Sequence, residues 1–287
     1  METLPRKICP MAEGGRPPYG WIVSDIREIR TAGARLAVHV RGTGAPLLFV
    51  HGFPLDHEMW SHQLAHLDEW RCIAPDLRGA GASEAPRDGY TMGDYAADLA
   101  GVCDALGVTA AVCCGFSMGG YVLFELFRHR PELFRALILC DTRSEPDTAD
   151  GRRGRDEQAA LVEREGAAAL TDVLVPKLLG ATTRSRNPEV VETVRMMGRR
   201  QPVRGVVGAL GAMRDRSDAT PLLPRIAVPT LVVCGVEDQV TPPAGALAMA
   251  QRMPQARYVE IEWAGHLAPL EQPDRVTRAV QEFLAGL

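Results

Sequence analysis

AAVCCGFSMGG, residues 110–120, decides the reading of this chain. A short apolar run stops abruptly at Gly115-Phe116-Ser117-Met118-Gly119, and Gly119–Arg130 then carries helical spacing up to Pro131. Strand, tight turn and helix in that order match the context required of a G-x-S-x-G element. A serine between strand and helix must project its hydroxyl from a strained turn, and the flanking glycines remove side chains that would collide there. The following helix directs its first N–H groups at the same spot, which favours developing negative charge. The plainer reading is a glycine-rich connection with an incidental serine. The flanking pattern favours Ser117 as a nucleophile.

Working outward, short apolar runs recur as PLLFVHGFP (46–54), RCIAPDLRG (71–79), RALILCDTR (135–143) and TLVVCGVED (230–238). Each ends in Gly, Pro or a polar turn, as strands buried on both faces of a parallel sheet do. YVEIEWAGH (258–266) is a weaker, alternating version. Two alternating segments, about Ile22–Arg30 and Arg35–Arg41, flank a turn-like TAGA and predict a β-hairpin. Helical patterns over Tyr95–Leu106, Pro242–Met253 and Pro273–Leu284 fall between or after the runs. Alternation of this kind predicts an α/β fold around a mainly parallel sheet.

Residues 144–222 break the alternation, with no strand-like run and several helical segments. Asp156–Glu165 is charged, and GRRGRDE (151–157) reads as a solvated helix start. Glu189–Met197 and Pro202–Met213 carry apolar residues at helical spacing, and Pro176, Pro188, Pro202 and Pro221 punctuate the stretch. A helical insertion of this kind predicts a cap over one edge of the sheet. Residues 1–20, with four prolines and a Gly-Gly pair, read as a flexible extension, leaving 21–287 as one domain with an embedded cap.

Open parallel sheets place their ligands where strands end, and three further polar groups fall there. Asp238 follows the run Thr230–Cys234, where a carboxylate can orient an imidazole; Glu237 beside it is the rival. His266 follows Gly265 in a loop after the last run. The chain order Ser117, Asp238, His266 is the one given for hydrolases built on this strand–turn–helix element. His51-Gly52-Phe53-Pro54 follows the first buried run, and the N–H groups of Phe53 and Met118 are the candidate oxyanion hole. Pro54 has no N–H to offer. Losing one such donor typically costs about 3–4 kcal/mol of transition-state stabilisation.

HGFPLDHEMW, APDLRGAGASEAP, GFSMGG, TLVVCGVED and EWAGHLAPLEQP together resemble the α/β-hydrolase superfamily, from about residue 25 to the C-terminus. Within it the chain is similar to small esterases, 3-oxoadipate enol-lactonases and non-haem haloperoxidase (perhydrolase)-like proteins. The resemblance implies an eight-stranded, mostly parallel sheet with helices on both faces. It also implies Ser117 as nucleophile, His266 as base, Asp238 as its partner, and neither metal nor organic cofactor. Asp76-Leu77-Arg78-Gly79 becomes a structural turn near the site. Serine at 117 argues against haloalkane dehalogenases and epoxide hydrolases, which use aspartate there. Phe116 stands where C–C bond hydrolases typically have asparagine.

Other classes are disfavoured. The chain has 287 residues, 46% of them apolar, with 32 Lys and Arg against 36 Asp and Glu for a net charge of −4. That balance offers no footprint for nucleic acid. No apolar run reaches the roughly 20 residues of a membrane span. The first 20 residues lack the apolar core of a secretory signal, so a cytoplasmic location is the default. The seven cysteines follow no disulfide spacing and read as reduced and structural, with Cys113 and Cys114 facing opposite sides of a strand. HEMWSH has one residue too many for H-E-x-x-H: five residues turn a helix by about 500°, leaving the rings about 140° apart. His62 and His66 share a face but lack a third ligand. RGAGASE carries Glu84 where a dinucleotide motif needs its third glycine.

The expected activity is hydrolysis of small carboxylic esters or lactones through an acyl-enzyme on Ser117. The alternatives are a cofactor-free perhydrolase, or a non-catalytic ligand receptor on the same fold. Phe116, Arg143, Met196, Met197 and Met213 are the candidates for the substrate pocket, Arg143 as a partner for a substrate carboxylate. Self-association into a homo-oligomer stays open.

Overall fold

A computed structural model describes residues 25–287; the N-terminal extension and the start of the first alternating segment lie outside the described residues. The strands are β1 (Asp25–Arg30), β2 (Arg35–Arg41), β3 (Pro46–Val50), β4 (Arg71–Pro75), β5 (Ala111–Phe116), β6 (Phe134–Cys140), β7 (Thr230–Gly235) and β8 (Ala256–Ile261). They form one eight-stranded sheet in the order β1-β2-β4-β3-β5-β6-β7-β8. β1 and β2 form the expected hairpin, closed by Thr31 N–H donating to Ala34 O at 2.9 Å, and β2 runs antiparallel to β4. All remaining pairings are parallel.

The interior strands β5 and β7 are buried at every position, as continuous apolar runs require. β8 is an edge strand, half-buried or buried at most positions, with Tyr258 packed on the core of one face and Val259 and Ile261 on that of the other. Cys113 joins the core on one side of the sheet and Cys114 the core on the other. The six cysteines among the described residues are free and buried.

One face is covered by α2 (Met92–Ala105), α3 (Met118–His129) and α9 (Pro243–Ala250), the other by α1 (Ser61–His66) and α11 (Pro273–Leu284). α2 begins three residues before the expected Tyr95 because Thr91 and Asp94 cap each other's backbone in a reciprocal box. In α11, Val276, Val280, Phe283 and Leu284 are buried at helical spacing. Each such side chain contributes about 1.5–3 kcal/mol through apolar burial. The short α10 (Ala268–Glu271) precedes α11.

Five helices separate β6 from β7: α4 (Ala149–Glu165), α5 (Ala167–Leu178), α6 (Ala181–Arg186), α7 (Pro188–Arg199) and α8 (Val203–Arg214). α4 starts at Ala149, earlier than the charged run at Asp156, because Thr148 accepts the Gly151 N–H as N-cap. Pro176 does not break the stretch as its position in the sequence suggests; it sits inside the last turn of α5, where only one intrahelical bond is lost. Pro188 and Pro202 do open helices, at the first turn of α7 and the N-cap of α8.

These helices meet the loops that follow the strands. Arg200 pairs with buried Asp56 at 2.7 Å, and Gln201 donates to Asp56 and accepts from the Gly81 N–H, both at 2.9 Å. A Cβ on Gly205 would lie 1.8 Å from Gly79 O, so α8 and the loop after β4 touch backbone to backbone.

Candidate active site

Ser117 occupies the turn between β5 and α3 with φ 49° and ψ −113°, a region that disfavours side chains. Its peptide is held on both sides. Ser117 N–H donates to Cys140 O at 3.0 Å, while Ser117 O accepts from Gly120 N–H at 2.9 Å and from the Thr142 hydroxyl at 2.7 Å. The turn closes only because its flanks are glycine. A Cβ at Gly119 would sit 2.2 Å from Val50 O, and one at Gly115 would sit 2.7 Å from Leu123 Cδ1.

His266 lies between Ser117 and Asp238. Its Nε2 is 2.9 Å from Ser117 Oγ and its Nδ1 is 2.8 Å from Asp238 Oδ2. Asp238 is acceptor-only in its ionised form, so Nδ1 carries the proton and Nε2 presents a lone pair to the serine. The far oxygen of Asp238 accepts the N–H groups of Val240 at 2.7 Å and Thr241 at 3.0 Å. The Thr241 hydroxyl donates to Oδ2 at 2.6 Å. Burial pushes the Asp238 carboxyl up, but the electrostatic interaction with His266 and the hydrogen bonds from His266 and Thr241 outweigh it and hold it at about 2. Glu237 points elsewhere, accepting the Thr182 N–H at 2.9 Å.

The loop after β3 is fixed by His51, whose Nδ1–H donates to Gly52 O at 3.0 Å while Nε2 accepts the Leu77 N–H at 2.9 Å. Burial lowers its pKa, so it bridges as the neutral ring. Phe53 and Met118 line a cleft of about 20 Å³ with Leu77, Tyr95, Gln201 and Val206. Met118 is the first residue of α3, so its N–H has no carbonyl of that helix to bond. A wider groove of about 650 Å³ lies outside, lined by Arg87, Tyr90, Glu163, Pro202, Arg204 and Val207. The small cleft, not the large groove, is the one bordered by Met118, next to Ser117.

The five expected pocket residues lie elsewhere, and none of them lines that cleft. Phe116 is fully buried, its ring tilted against His266 with centroids 5.1 Å apart, so it backs the imidazole. Arg143 reaches Val240 O through its guanidinium. Met196 is 47% exposed on α7, while Met197 and Met213 are buried in the two cores. Adjacent helix residues differ by about 100°, so the choice of inward face depends on packing that periodicity cannot supply.

Sequence reasoning passed over four residues that shape the site. Thr241 and Thr142 act on the acid and on the serine peptide, as above. Asp141, with φ 45°, accepts the Gly235 N–H at 2.8 Å; burial and then the Asp238 charge push its pKa well above the carboxylate range. Glu271 accepts backbone N–H groups on either side of His266. Thr241 alone carried a readable signal, since Asp-x-x-Thr in a loop is a local side-chain-to-backbone pattern.

Two groups among the described residues could offer three metal ligands each: His39, His57 and Asp76, and Asp141, Cys234 and Asp238. In the first, the two rings stack at 3.3 Å with 13° between planes, so their in-plane lone pairs run parallel instead of converging. Asp76 there accepts His57 Nδ1–H at 2.7 Å and the Ala82 N–H at 2.9 Å, as a structural turn requires. In the second, Asp238 is already committed to His266. No helix of the described residues is long and apolar enough to cross a membrane.

Residues 45–273 match the family described as the alpha/beta hydrolase fold. A structure of a thermophilic esterase from Thermogutta terrifontis is 43% identical, with a TM-score of 0.88 over 91% of this chain and 98% of that one. The enol-lactonase from Burkholderia xenovorans LB400 is 30% identical, with a TM-score of 0.83 over 89% and 98% of the two chains. A Mycobacterium tuberculosis protein named as non-heme bromoperoxidase BpoC is 32% identical over 88% of this chain and 98% of its own.

Proposed function

The chain belongs to the α/β-hydrolase fold family, and from that premise we propose that it is a serine hydrolase of small carboxylic esters or lactones. One observation carries the reading: His266 stands between Ser117 Oγ at 2.9 Å and Asp238 Oδ2 at 2.8 Å. In the reaction His266 Nε2 takes the Ser117 proton as Oγ attacks the substrate carbonyl. Asp238 holds the imidazole in the productive tautomer and balances the imidazolium. The N–H groups of Phe53 and Met118 receive the negative charge on the carbonyl oxygen. His266 then passes its proton to the leaving alkoxide. Water, activated by the same nitrogen, attacks the acyl-enzyme and releases the acid.

Esterase and enol-lactonase relatives support this reaction class. α4 to α8 serve as a cap over the site, with Gly205, Val206 and Ala209 of α8 lining the cleft. Ser117→Ala tests the assignment: hydrolysis of p-nitrophenyl acetate and covalent labelling by a fluorophosphonate should both vanish. Full activity in that variant would remove the proposal.

The bromoperoxidase-named relative favours one second reading, in which hydrogen peroxide replaces water in deacylation and yields a peracid. Steady-state bromide oxidation that requires both acetate and peroxide would support it.

A further inference from the structure

We infer that Glu271 is a positioning residue that sets the direction of the His266 side chain and ties it to the end of α5; the inference rests on the serine-hydrolase reading. Its carboxylate is buried, at 3% exposure, and accepts three backbone N–H groups. Oε1 takes those of Gly265 at 2.9 Å and Leu267 at 3.0 Å, and Oε2 takes that of Gly180 at 2.8 Å. Gly265 and Leu267 flank His266, so one oxygen fixes the peptide planes before and after the histidine. With both planes fixed, the Cα–Cβ bond of His266 has one direction left.

The third N–H of that run closes the circuit. His266 N–H donates to Leu178 O at 3.0 Å, in the last residue of α5. Leu178 and Gly180 lie two residues apart, and Glu271 holds the latter. Nothing larger than hydrogen fits between the two segments, because a Cβ on Gly265 would fall 2.2 Å from Gly180 N. The histidine loop and the α5–α6 junction therefore move as one piece around a single carboxylate. Charge-assisted hydrogen bonds of this kind are about twice as strong as neutral ones. Glu271 touches no reacting atom. It acts through the position of the imidazole, where a displacement of about 1 Å typically costs about 100-fold in rate.

The test uses Glu271→Gln and Glu271→Ala, with kcat expressed per phosphonate-titratable serine. Glutamine keeps an oxygen for Gly265 and Leu267 but turns its NH2 on the Gly180 N–H; alanine removes both oxygens and with them all three bonds. Expected values of kcat on p-nitrophenyl acetate fall about 10-fold for glutamine and about 100-fold for alanine, with KM within about twofold. The low-field proton resonance of His266 Nδ1–H, which reports the bond to Asp238 without substrate, should weaken in the same order. Should the alanine variant not fold, the glutamine variant decides alone. Wild-type kcat per titrated serine together with an unchanged resonance, even at a lower Tm, overturns the inference. The resonance needs no turnover, so failure of the hydrolase reading, which Ser117→Ala reads, stays distinguishable.

Discussion

Replacing Asp238 by asparagine keeps the shape of the site and should nearly abolish its activity, for a reason visible in the surrounding bonds. The new amide has two orientations. With its oxygen toward Val240 and Thr241 it keeps both N–H bonds, now at 2.7 and 3.0 Å, and turns its NH2 toward His266 Nδ1. Flipped, it sets NH2 against two N–H groups, and each lost bond with its unsatisfied donor costs about 1–3 kcal/mol. The first orientation wins by about 2–6 kcal/mol on that count. It makes Nδ1 an acceptor and moves the ring proton to Nε2, facing the Ser117 hydroxyl. The Thr241 hydroxyl, 3.2 Å from Nδ1, can donate there as well and reinforces the unproductive tautomer. Rate then requires the minority tautomer without a negative charge to balance the imidazolium. We expect kcat/KM to fall about 10³- to 10⁴-fold, equivalent to about 4–5.5 kcal/mol. Initial rates on p-nitrophenyl acetate, normalised to folded protein by circular dichroism, measure it. A loss smaller than tenfold would refute the role given to Asp238 and to the two backbone donors behind it.

Two further outcomes concern stability. His39 is buried against the His57 ring, and burial followed by the His57 charge lowers its pKa to about 4. The unfolded chain protonates His39 near pH 6.5, so its contribution is complete above that pH and is lost as pH falls toward 4. The loss amounts to about 3 kcal/mol. His57, raised by Asp76 against its own burial, has the opposite sign: its contribution is complete below pH 6.5 and fades at higher pH. Urea unfolding of wild type and His39→Phe from pH 7.5 to 4 should show wild type losing stability relative to the variant as pH falls; parallel curves would contradict the assignment. Gly119→Ala forces a methyl group to 2.2 Å from Val50 O, so it should destabilise by about 1–3 kcal/mol and displace Ser117, read by urea midpoint and by phosphonate labelling rate.

The sheet was readable because five of its strands are apolar runs buried on both faces, and such a run stopping at Gly or a polar turn has few other meanings. The elements carrying Ser117 and Asp238 were readable because each lies just beyond such a run, and His266 because it completes their chain order after a weaker, alternating one. Glu271 was not, since a lone acid in LAPLEQP looks like any surface carboxylate until Gly180, 91 positions earlier, arrives beside it. The pocket was not legible either. Its walls depend on how α8 seats against the loop after β4, and Met196 and Met197, neighbours in sequence, end at opposite extremes of exposure. Local spacing encodes which residues share a face, and tertiary docking decides where that face looks.

The glycine pair at 79 and 205 has a practical corollary for anyone wishing to re-size the cleft. Those two positions are closed to mutation, because no room exists between the chains for even one methyl group. Val206 and Ala209, one and four residues further along the same helix, line the cleft with side chains buried in the core. Any re-sizing therefore has to work through those two side chains, while the glycine contact beside them stays as a fixed pivot.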